Sequence, residues 1–166
     1  MTEFTKENPF PAKIRERYPL NREGSSKKTY HLSLDLSGAG MEYKVGDAVG
    51  IFPENRAEDV EALLEALDCS GNESVVDPRS GAELSFETYL KTGANLLRVP
   101  TPLLKLKGDP SLLGEENKEA RSQYIAQRDL ISFFEETKNP LPLQELISYF
   151  APMLPRFYSI ASSQKI

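Results

Sequence analysis

The sequence has no tryptophan, one cysteine and one histidine in 166 residues. The single thiol, Cys69, permits neither an internal disulfide nor a cysteine metal cluster, and such a composition is typical of a reducing cytoplasm. The single imidazole, His31, has no partners with which to build a metal site. We therefore predict a cytoplasmic protein without a metal centre.

Long apolar runs and an excess of positive charge are also missing. No segment approaches the ~20 apolar residues of a membrane span, and residues 1–7 lack the basic start and apolar core of a signal peptide. The net charge of −5 provides no basic stripe for nucleic acid. The composition, 39% hydrophobic and 27% charged, is typical of a soluble globular protein, here with a short N-terminal tail over residues 1–7.

Two segments near the N-terminus have the period of β-strands. Residues 12–18 alternate, so Ile14 and Tyr18 are predicted on one face and Arg15 and Arg17 on the other. Residues 29–36 alternate more regularly, as in an antiparallel strand with one face buried. The predicted buried face of that strand comprises Tyr30, Leu32, Leu34 and Leu36.

A turn, a short apolar strand and a helix follow. Gly46 and Asp47 predict a turn that leads into a buried strand over residues 48–52. Asn55 is predicted to cap the next helix, with Glu58 three residues on as in a capping box. The helix carries an apolar stripe of Val60, Leu63, Leu64 and Leu67.

The longest block, residues 56–153, carries mostly helical signals. Glycine- and proline-containing turns separate short stretches that have apolar residues at helical spacing. Their Leu and Phe side chains are predicted to form core rather than to contact a ligand. Helical segments are predicted over residues 86–90, 101–106, 115–127 and 129–136 and from residue 142.

A last strand is predicted after Pro155. Side chains alternate along a strand, so Arg156 and Tyr158 share one face. A guanidinium binds phosphate oxygens bidentately, and a tyrosine offers an aromatic face and a hydroxyl. The pair suits a ligand with a phosphate at one end and a flat ring at the other. The alternative is ordinary protein surface, since an arginine and a tyrosine two apart are common on strands.

Two motifs resemble one family. Residues 154–163, Leu-Pro-Arg-Phe-Tyr-Ser-Ile-Ala-Ser-Ser, resemble the flavin-binding strand of the ferredoxin–NADP reductase superfamily. The likeness is strongest to its diflavin branch, to which the sulfite reductase flavoprotein and the microsomal NADPH–cytochrome reductase belong. Residues 43–55, with Tyr-x-x-Gly-Asp, a short apolar strand and Pro-x-Asn, resemble the same branch, and the two motifs stand in the same order.

The resemblance implies a mixed β and α fold. It consists of an antiparallel FAD-binding β-barrel of the ferredoxin reductase type, incomplete in this chain and interrupted by a helical connecting insertion. Residues 8–55 and 154–166 would belong to the barrel, and residues 56–153 to the insertion.

The resemblance also implies roles for individual residues. Arg156 would contact the FAD pyrophosphate, and Tyr158 would stack on the isoalloxazine ring and reach the ribityl chain. Ser159 would lie near the flavin N5, although simple alternation turns its side chain to the same face as Phe157. Phe157, on the same strand, is also expected to be a cofactor-binding residue. Thr92 resembles a threonine of the connecting segment that touches FAD; the alternative is a loop hydroxyl.

The implied function is that of an NADPH-dependent flavoprotein reductase, which passes electrons from NADPH through FAD to FMN or to a haem partner protein. NADPH and FMN would bind outside this chain, because it contains no dinucleotide-type glycine motif and no flavodoxin-like segment. A second hypothesis is a non-catalytic β-domain that acts as an interaction module without flavin. A third, a partial barrel that uses FMN alone, is disfavoured because the strand motif belongs to the FAD-binding branch.

The family's barrel has further strands after the Arg-x-Tyr-Ser strand, and we expect this chain to be a fragment cut inside that barrel. An unfinished barrel exposes a strand edge, which is a template for pairing. We therefore expect the fragment to dimerise through that edge or to be poorly ordered there. We also expect it to hold FAD weakly and not to turn over NADPH by itself.

Overall fold

The computed structural model describes residues 4–5 and 8–163 of the chain, which fold as a mixture of small sheets and short helices. The strands are β1 (Lys13–Pro19), β2 (Tyr30–Asp35), β3 (Ala48–Ile51), β4 (Ser74–Val76), β5 (Glu83–Ser85) and β6 (Arg156–Ser159). The α-helices are α1 (Ala57–Ala66), α2 (Phe86–Thr92), α3 (Leu104–Lys107), α4 (Lys118–Ala126), α5 (Leu130–Glu136) and α6 (Leu143–Leu146). Single 3₁₀ turns cover Thr101–Leu103, Pro110–Leu112 and Ile147–Tyr149.

The chain divides into two compact units. One comprises Met1–Gly50 with Phe157–Ile166, and the other comprises Ile51–Arg156. Within the described residues the strands pair as three two-stranded sheets, β1 with β2, β3 with β6 and β4 with β5, and they do not close a barrel.

The β1–β2 hairpin contains a bulge in β1, and the side-chain faces predicted for that strand therefore need correction. Pairing runs regularly from Pro19 opposite Tyr30, but the register shifts between Ile14 and Glu16. One extra residue in a strand reverses the alternation beyond it. The simple alternation that placed Arg15 and Arg17 on one face of the strand therefore does not hold across the bulge.

Contacts across the hairpin agree with this register. The rings of Tyr18 and His31 are stacked with centroids 4.7 Å apart, and the Arg17 guanidinium lies 4.6 Å from the centre of the Tyr30 ring. The Arg15 guanidinium pairs with Asp35 at 3.2 Å. The face predicted as buried is more open than expected: Tyr30 and Leu32 are 43% and 46% exposed.

The hydrophobic core lies in the unit of residues 51–156. α1 packs against α5 and α2, and α2 packs against the β4–β5 hairpin. The apolar stripes of the helices supply this core, as the sequence predicts, and it includes completely buried Phe86, Phe133, Leu63, Leu90, Leu103, Leu104, Leu130 and Leu146. In the other unit, Ala39 is the one buried hydrophobic residue among those that the structure describes.

Three helical predictions need correction. Strands β4 and β5 form an antiparallel hairpin inside the predicted helical block, with Val75 opposite Leu84. Asn55 does not cap α1: the N-cap residue is Arg56, which makes no capping hydrogen bond with its side chain. The helix predicted from residue 142 is only α6 followed by a 3₁₀ turn, since a prolyl N-cap and four α-helical residues make a short element.

No helix within residues 4–5 and 8–163 combines the length and the apolar character that a membrane crossing requires.

Candidate functional site

The two motifs that carry the family resemblance meet in space. β3, which follows the Tyr-x-x-Gly-Asp motif, pairs with β6, which carries the Arg-x-Tyr-Ser motif. The Ile160 amide donates to the Asp47 carbonyl at 2.7 Å, and the Gly46 amide donates to the Ile160 carbonyl at 3.1 Å. The hydroxyls of Tyr43 and Ser162 lie 3.1 Å apart. Motifs more than a hundred residues apart in sequence thus form one local structure.

The turn before β3 is closed by its own aspartate. The Asp47 carboxylate accepts from the Lys44 amide at 2.9 Å, and the Asp47 amide donates to the Lys44 carbonyl at 3.0 Å. Gly46 has φ +95°, a conformation that side-chain-bearing residues rarely adopt. The turn predicted at Gly46 and Asp47 is confirmed, and its backbone pairs with Ile160, the residue that follows β6.

β6 presents Arg156 and Tyr158 as the sequence predicts for a strand. The two residues are two apart on a four-residue strand whose members are all exposed, and the Tyr158 side chain is 52% exposed. Neither side chain forms a hydrogen bond or ion pair with any residue that the structure describes. A free guanidinium and an open phenol ring on one strand face can bind an anionic aromatic ligand.

Phe157 lies on the other face of β6, against β3. A Cβ built on Gly50 would come within 3.1 Å of the Phe157 ring, at Cε1. The ring is nevertheless 71% exposed, so only part of it is covered by this contact. The sequence prediction did not single out Gly50, although a glycine in the middle of a short apolar strand indicates close approach of another group.

The two remaining predicted residues have different surroundings. Ser159 is the exposed last residue of β6. Thr92 is the exposed last residue of α2, and its hydroxyl donates to the Thr88 carbonyl at 2.9 Å, one helical turn back. The Thr92 oxygen can therefore act toward a ligand only as an acceptor while that bond is kept.

The lone cysteine does not extend the site. Burial raises the pKa of the Cys69 thiol, with Glu73 and Asp68 adding to the shift. The thiol donates to the Leu67 carbonyl at 3.3 Å. A thiol with a raised pKa is a poor nucleophile, so the environment of Cys69 favours a packing role.

Comparison with known families defines the class of the protein. The family model for the FAD binding domain matches residues 2–87. This chain therefore belongs to the FAD binding domain family, and FAD is the cofactor of that family. The matched residues include the turn at Gly46 and Asp47 and strand β3.

Similarity to individual proteins extends over β6 as well. The chain is 34% identical to the sulfite reductase [NADPH] flavoprotein alpha-component of Bacillus subtilis over 169 residues, covering 96% of this chain and 28% of that protein. It is 32% identical to the corresponding protein of Aliivibrio fischeri, covering 98% of this chain and 28% of the relative. It is 33% identical to the corresponding protein of Vibrio cholerae, covering 97% of this chain and 27% of the relative. The chain thus spans little more than a quarter of the length of these relatives.

Proposed function

We propose that this chain supplies the flavin-facing strand of an NADPH-dependent flavoprotein reductase. In the complete protein, electrons would pass from NADPH through FAD to FMN or to a haem partner protein. The relatives are named sulfite reductase [NADPH] flavoprotein alpha-component, which supports NADPH as the electron donor and a flavin as the carrier. The observation that carries the proposal is the pair of unpartnered, exposed side chains on β6, Arg156 and Tyr158.

The proposed cofactor site is built on β6. The Arg156 guanidinium would bind the pyrophosphate of FAD, and the Tyr158 ring would stack on the isoalloxazine while its hydroxyl reaches the ribityl chain. Ser159 would lie at the reacting edge of the flavin, with Phe157 supporting the strand from its other face. Thr92 would accept a hydrogen bond from the cofactor, since its own proton is directed to the Thr88 carbonyl.

Bound FAD supplies the redox chemistry, and the protein supplies position and electrostatics. Arg156 neutralises phosphate charge, and its planar fork fixes the direction of the diphosphate. Tyr158 fixes the plane of the ring by stacking. The hydrogen bonds at Gly46 and Asp47 hold the end of β6, so the strand is positioned before the ligand binds.

The same proposal extends to architecture. The β1–β2 hairpin and the β3–β6 pair would form part of an antiparallel FAD-binding β-barrel over residues 8–55 and 154–166. Residues 56–153 would form the helical connecting insertion. The pairing of two strands that are more than a hundred residues apart in sequence supports an insertion of this kind.

The competing function is a non-catalytic interaction module without flavin, and titration with FAD distinguishes the two. We expect the chain to quench FAD fluorescence, weakly because it spans little more than a quarter of its relatives. Tyr158→Ala should abolish the quenching, whereas Tyr158→Phe should retain the stacked ring and most of the binding. Tyr18→Ala is a matched control, because Tyr18 is a 47% exposed strand tyrosine. Equal quenching by Tyr158→Ala and the unmodified chain would support the interaction module.

Association through the open edge of the strands is a further part of the proposal. Ile14, Tyr30 and Leu32 expose 59%, 43% and 46% of their surface on the β1–β2 hairpin, and exposed apolar strand surface favours pairing with another chain. We propose that the isolated chain forms a dimer there. Sedimentation velocity over a concentration series measures this, and a monomer at every concentration contradicts it.

A further inference from the structure

The connection between β1 and β2 contains an open concavity of about 280 Å³. Three cationic residues line it, Arg22, Lys27 and Lys28, together with Glu23. None of the three cations pairs with an acidic group among the residues that the structure describes. Unpaired cations around one concavity favour an anionic occupant.

The loop that carries these cations is held by its own hydrogen bonds. The Asn21 amide group donates to Ser25 Oγ at 3.3 Å and accepts from the Thr29 amide. Ser25 Oγ accepts from the Lys27 amide at 3.2 Å and donates to the Lys27 carbonyl at 3.1 Å. The Leu20 amide closes the loop by donating to the Thr29 carbonyl at 2.8 Å. The backbone around the concavity is therefore ordered before any ligand arrives, which lowers the entropic cost of binding.

Size and charge narrow the class of ligand. A concavity of about 280 Å³ lies just below the range of roughly 300–1,000 Å³ that is usual for small-molecule sites, and it is too small for a dinucleotide. Three cations against one carboxylate favour a multiply charged anion over a monocarboxylate. An arginine fork together with two ammonium groups is the usual protein complement of a phosphate group. Tyr30 also lines the concavity.

We propose that the β1–β2 loop is a binding site for a small phosphate-bearing anion, with Arg22, Lys27 and Lys28 as its cationic ligands. The site involves none of the residues assigned to FAD, so it stands or falls independently of the proposed reductase function. The phosphate group could be free or carried on a small organic molecule, and the experiment separates these sources.

The test is a titration of the full, isotope-labelled chain with inorganic phosphate and, separately, with AMP. Both titrations are followed by NMR through the amide resonances of Gly24, Ser25 and Lys27. FAD is kept at a saturating concentration, and chloride is added to keep the ionic strength constant. We expect saturable shifts at these amides. A stronger response to AMP than to phosphate identifies an organic phosphate as the preferred source, and the reverse identifies the free ion.

Two triple variants with the same change of net charge provide the control. Arg22→Gln/Lys27→Gln/Lys28→Gln should weaken binding by at least about tenfold, because each exposed charge-assisted contact contributes modestly and three are removed. Lys105→Gln/Lys118→Gln/Lys138→Gln removes three exposed cations elsewhere and should leave the loop response unchanged. Equal weakening by both triples would overturn the proposal, since it would indicate only the overall field of the protein.

Asn21→Ala separates an ordered site from a diffuse patch of charge. The variant keeps every cation but removes two hydrogen bonds of the Asn21 side chain, the one donated to Ser25 Oγ and the one accepted from the Thr29 amide. We expect it to weaken phosphate binding severalfold while the hairpin remains folded, as judged by the amide spectrum of β2. Unchanged affinity in this variant, or shifts that never saturate in the unmodified chain, contradicts the proposal.

Discussion

The Phe157 ring lies directly against the α-carbon of Gly50, so that any Cβ at position 50 would sit 3.1 Å from Cε1 and 3.6 Å from Cδ1 of the ring. A contact of 3.1 Å is tighter than ordinary van der Waals packing, and the ring would have to move by a few tenths of an ångström. Because Phe157 alternates with Arg156 and Tyr158 on β6, its position bears on both proposed FAD ligands.

Gly50→Ala should therefore weaken FAD binding without unfolding the chain. Phe157 is 71% exposed and can move aside, so we expect little change in the free energy of unfolding. A displaced strand should lower FAD affinity by up to about tenfold, or about 1.4 kcal/mol. Fluorescence titration with FAD measures the change. In a Phe157→Ala background the Gly50 substitution should have no further effect, and the same loss in both backgrounds would show that the Gly50–Phe157 contact is not its cause.

Asn55 links the segment before α1 to the C-terminal end of α2. Its side-chain amide donates to the Leu90 carbonyl at 2.6 Å and to the Ala94 carbonyl at 2.7 Å, and its backbone amide donates to the Lys91 carbonyl at 2.9 Å. Asn55→Ala leaves two carbonyls unpaired where Leu90 and Ala94 are themselves buried. We expect a loss of about 1–3 kcal/mol in the free energy of unfolding, measured by urea denaturation.

Asn72→Ala is the matched control for that substitution, because Asn72 is exposed and its side-chain amide makes no hydrogen bond with a described residue. Its free energy of unfolding should change by less than about 0.5 kcal/mol. A similar small effect at Asn55 would mean that water satisfies the two carbonyls when the amide is removed.

Asp35 should make the stability of the β1–β2 hairpin depend on pH in the acid range. Hydrogen bonds from Ser37 lower the pKa of Asp35 to about 2, and the Arg15 guanidinium adds to the shift. The folded-state pKa is thus below the unfolded value of about 3.9. The ionised carboxylate stabilises the hairpin above about pH 4, and this stabilisation is lost as the pH falls toward 2.

Asp35→Asn should flatten that dependence, and a carboxyl ¹³C titration of Asp35 in the unmodified chain measures the pKa directly. Ser37→Ala should raise the pKa of Asp35 more than Arg15→Gln does, because the Ser37 hydrogen bonds are the larger cause. The opposite order would assign the shift chiefly to the ion pair at 3.2 Å.

The core of the unit formed by residues 51–156 can be tested with a pair of leucines. Leu63, on α1, is completely buried, whereas Leu97 is 69% exposed. Leu63→Ala should cost about 2–5 kcal/mol, because it removes apolar contacts and leaves a cavity between α1 and α5. Leu97→Ala should cost less than about 1 kcal/mol. Thermal and chemical denaturation of both variants gives the comparison; a Leu63→Ala variant as stable as Leu97→Ala would contradict this core.

Local patterns in the sequence predicted most elements and the central motif of the site. The alternation of residues 29–36 predicted β2, the apolar spacing of Val60 and Leu63 predicted α1, and the Gly46-Asp47 pair predicted the turn before β3. Each of these elements is determined by a few neighbouring residues, so the sequence pattern predicts the element without knowledge of any distant contact.

The errors occurred where a distant group decided the outcome or where an element was too short to carry a pattern. Asn55 has the composition of a helix cap, but the carbonyls of Leu90 and Ala94 take its side-chain amide instead. The bulge after Ile14 is set by pairing with β2 and leaves no mark in the alternation of β1. Each strand of the β4–β5 hairpin has three residues, which is too few for a periodic pattern to distinguish a strand from a loop.

By itself the sequence determined that Arg156 and Tyr158 share a strand face and that Gly46 and Asp47 form a turn, because both follow from backbone geometry over a few residues. Only the tertiary structure decided that these two segments lie side by side and that Gly50 must accommodate the Phe157 ring. The physical reason is that each of these relations depends on groups brought together by chain folding, whose separation in sequence carries no local signal.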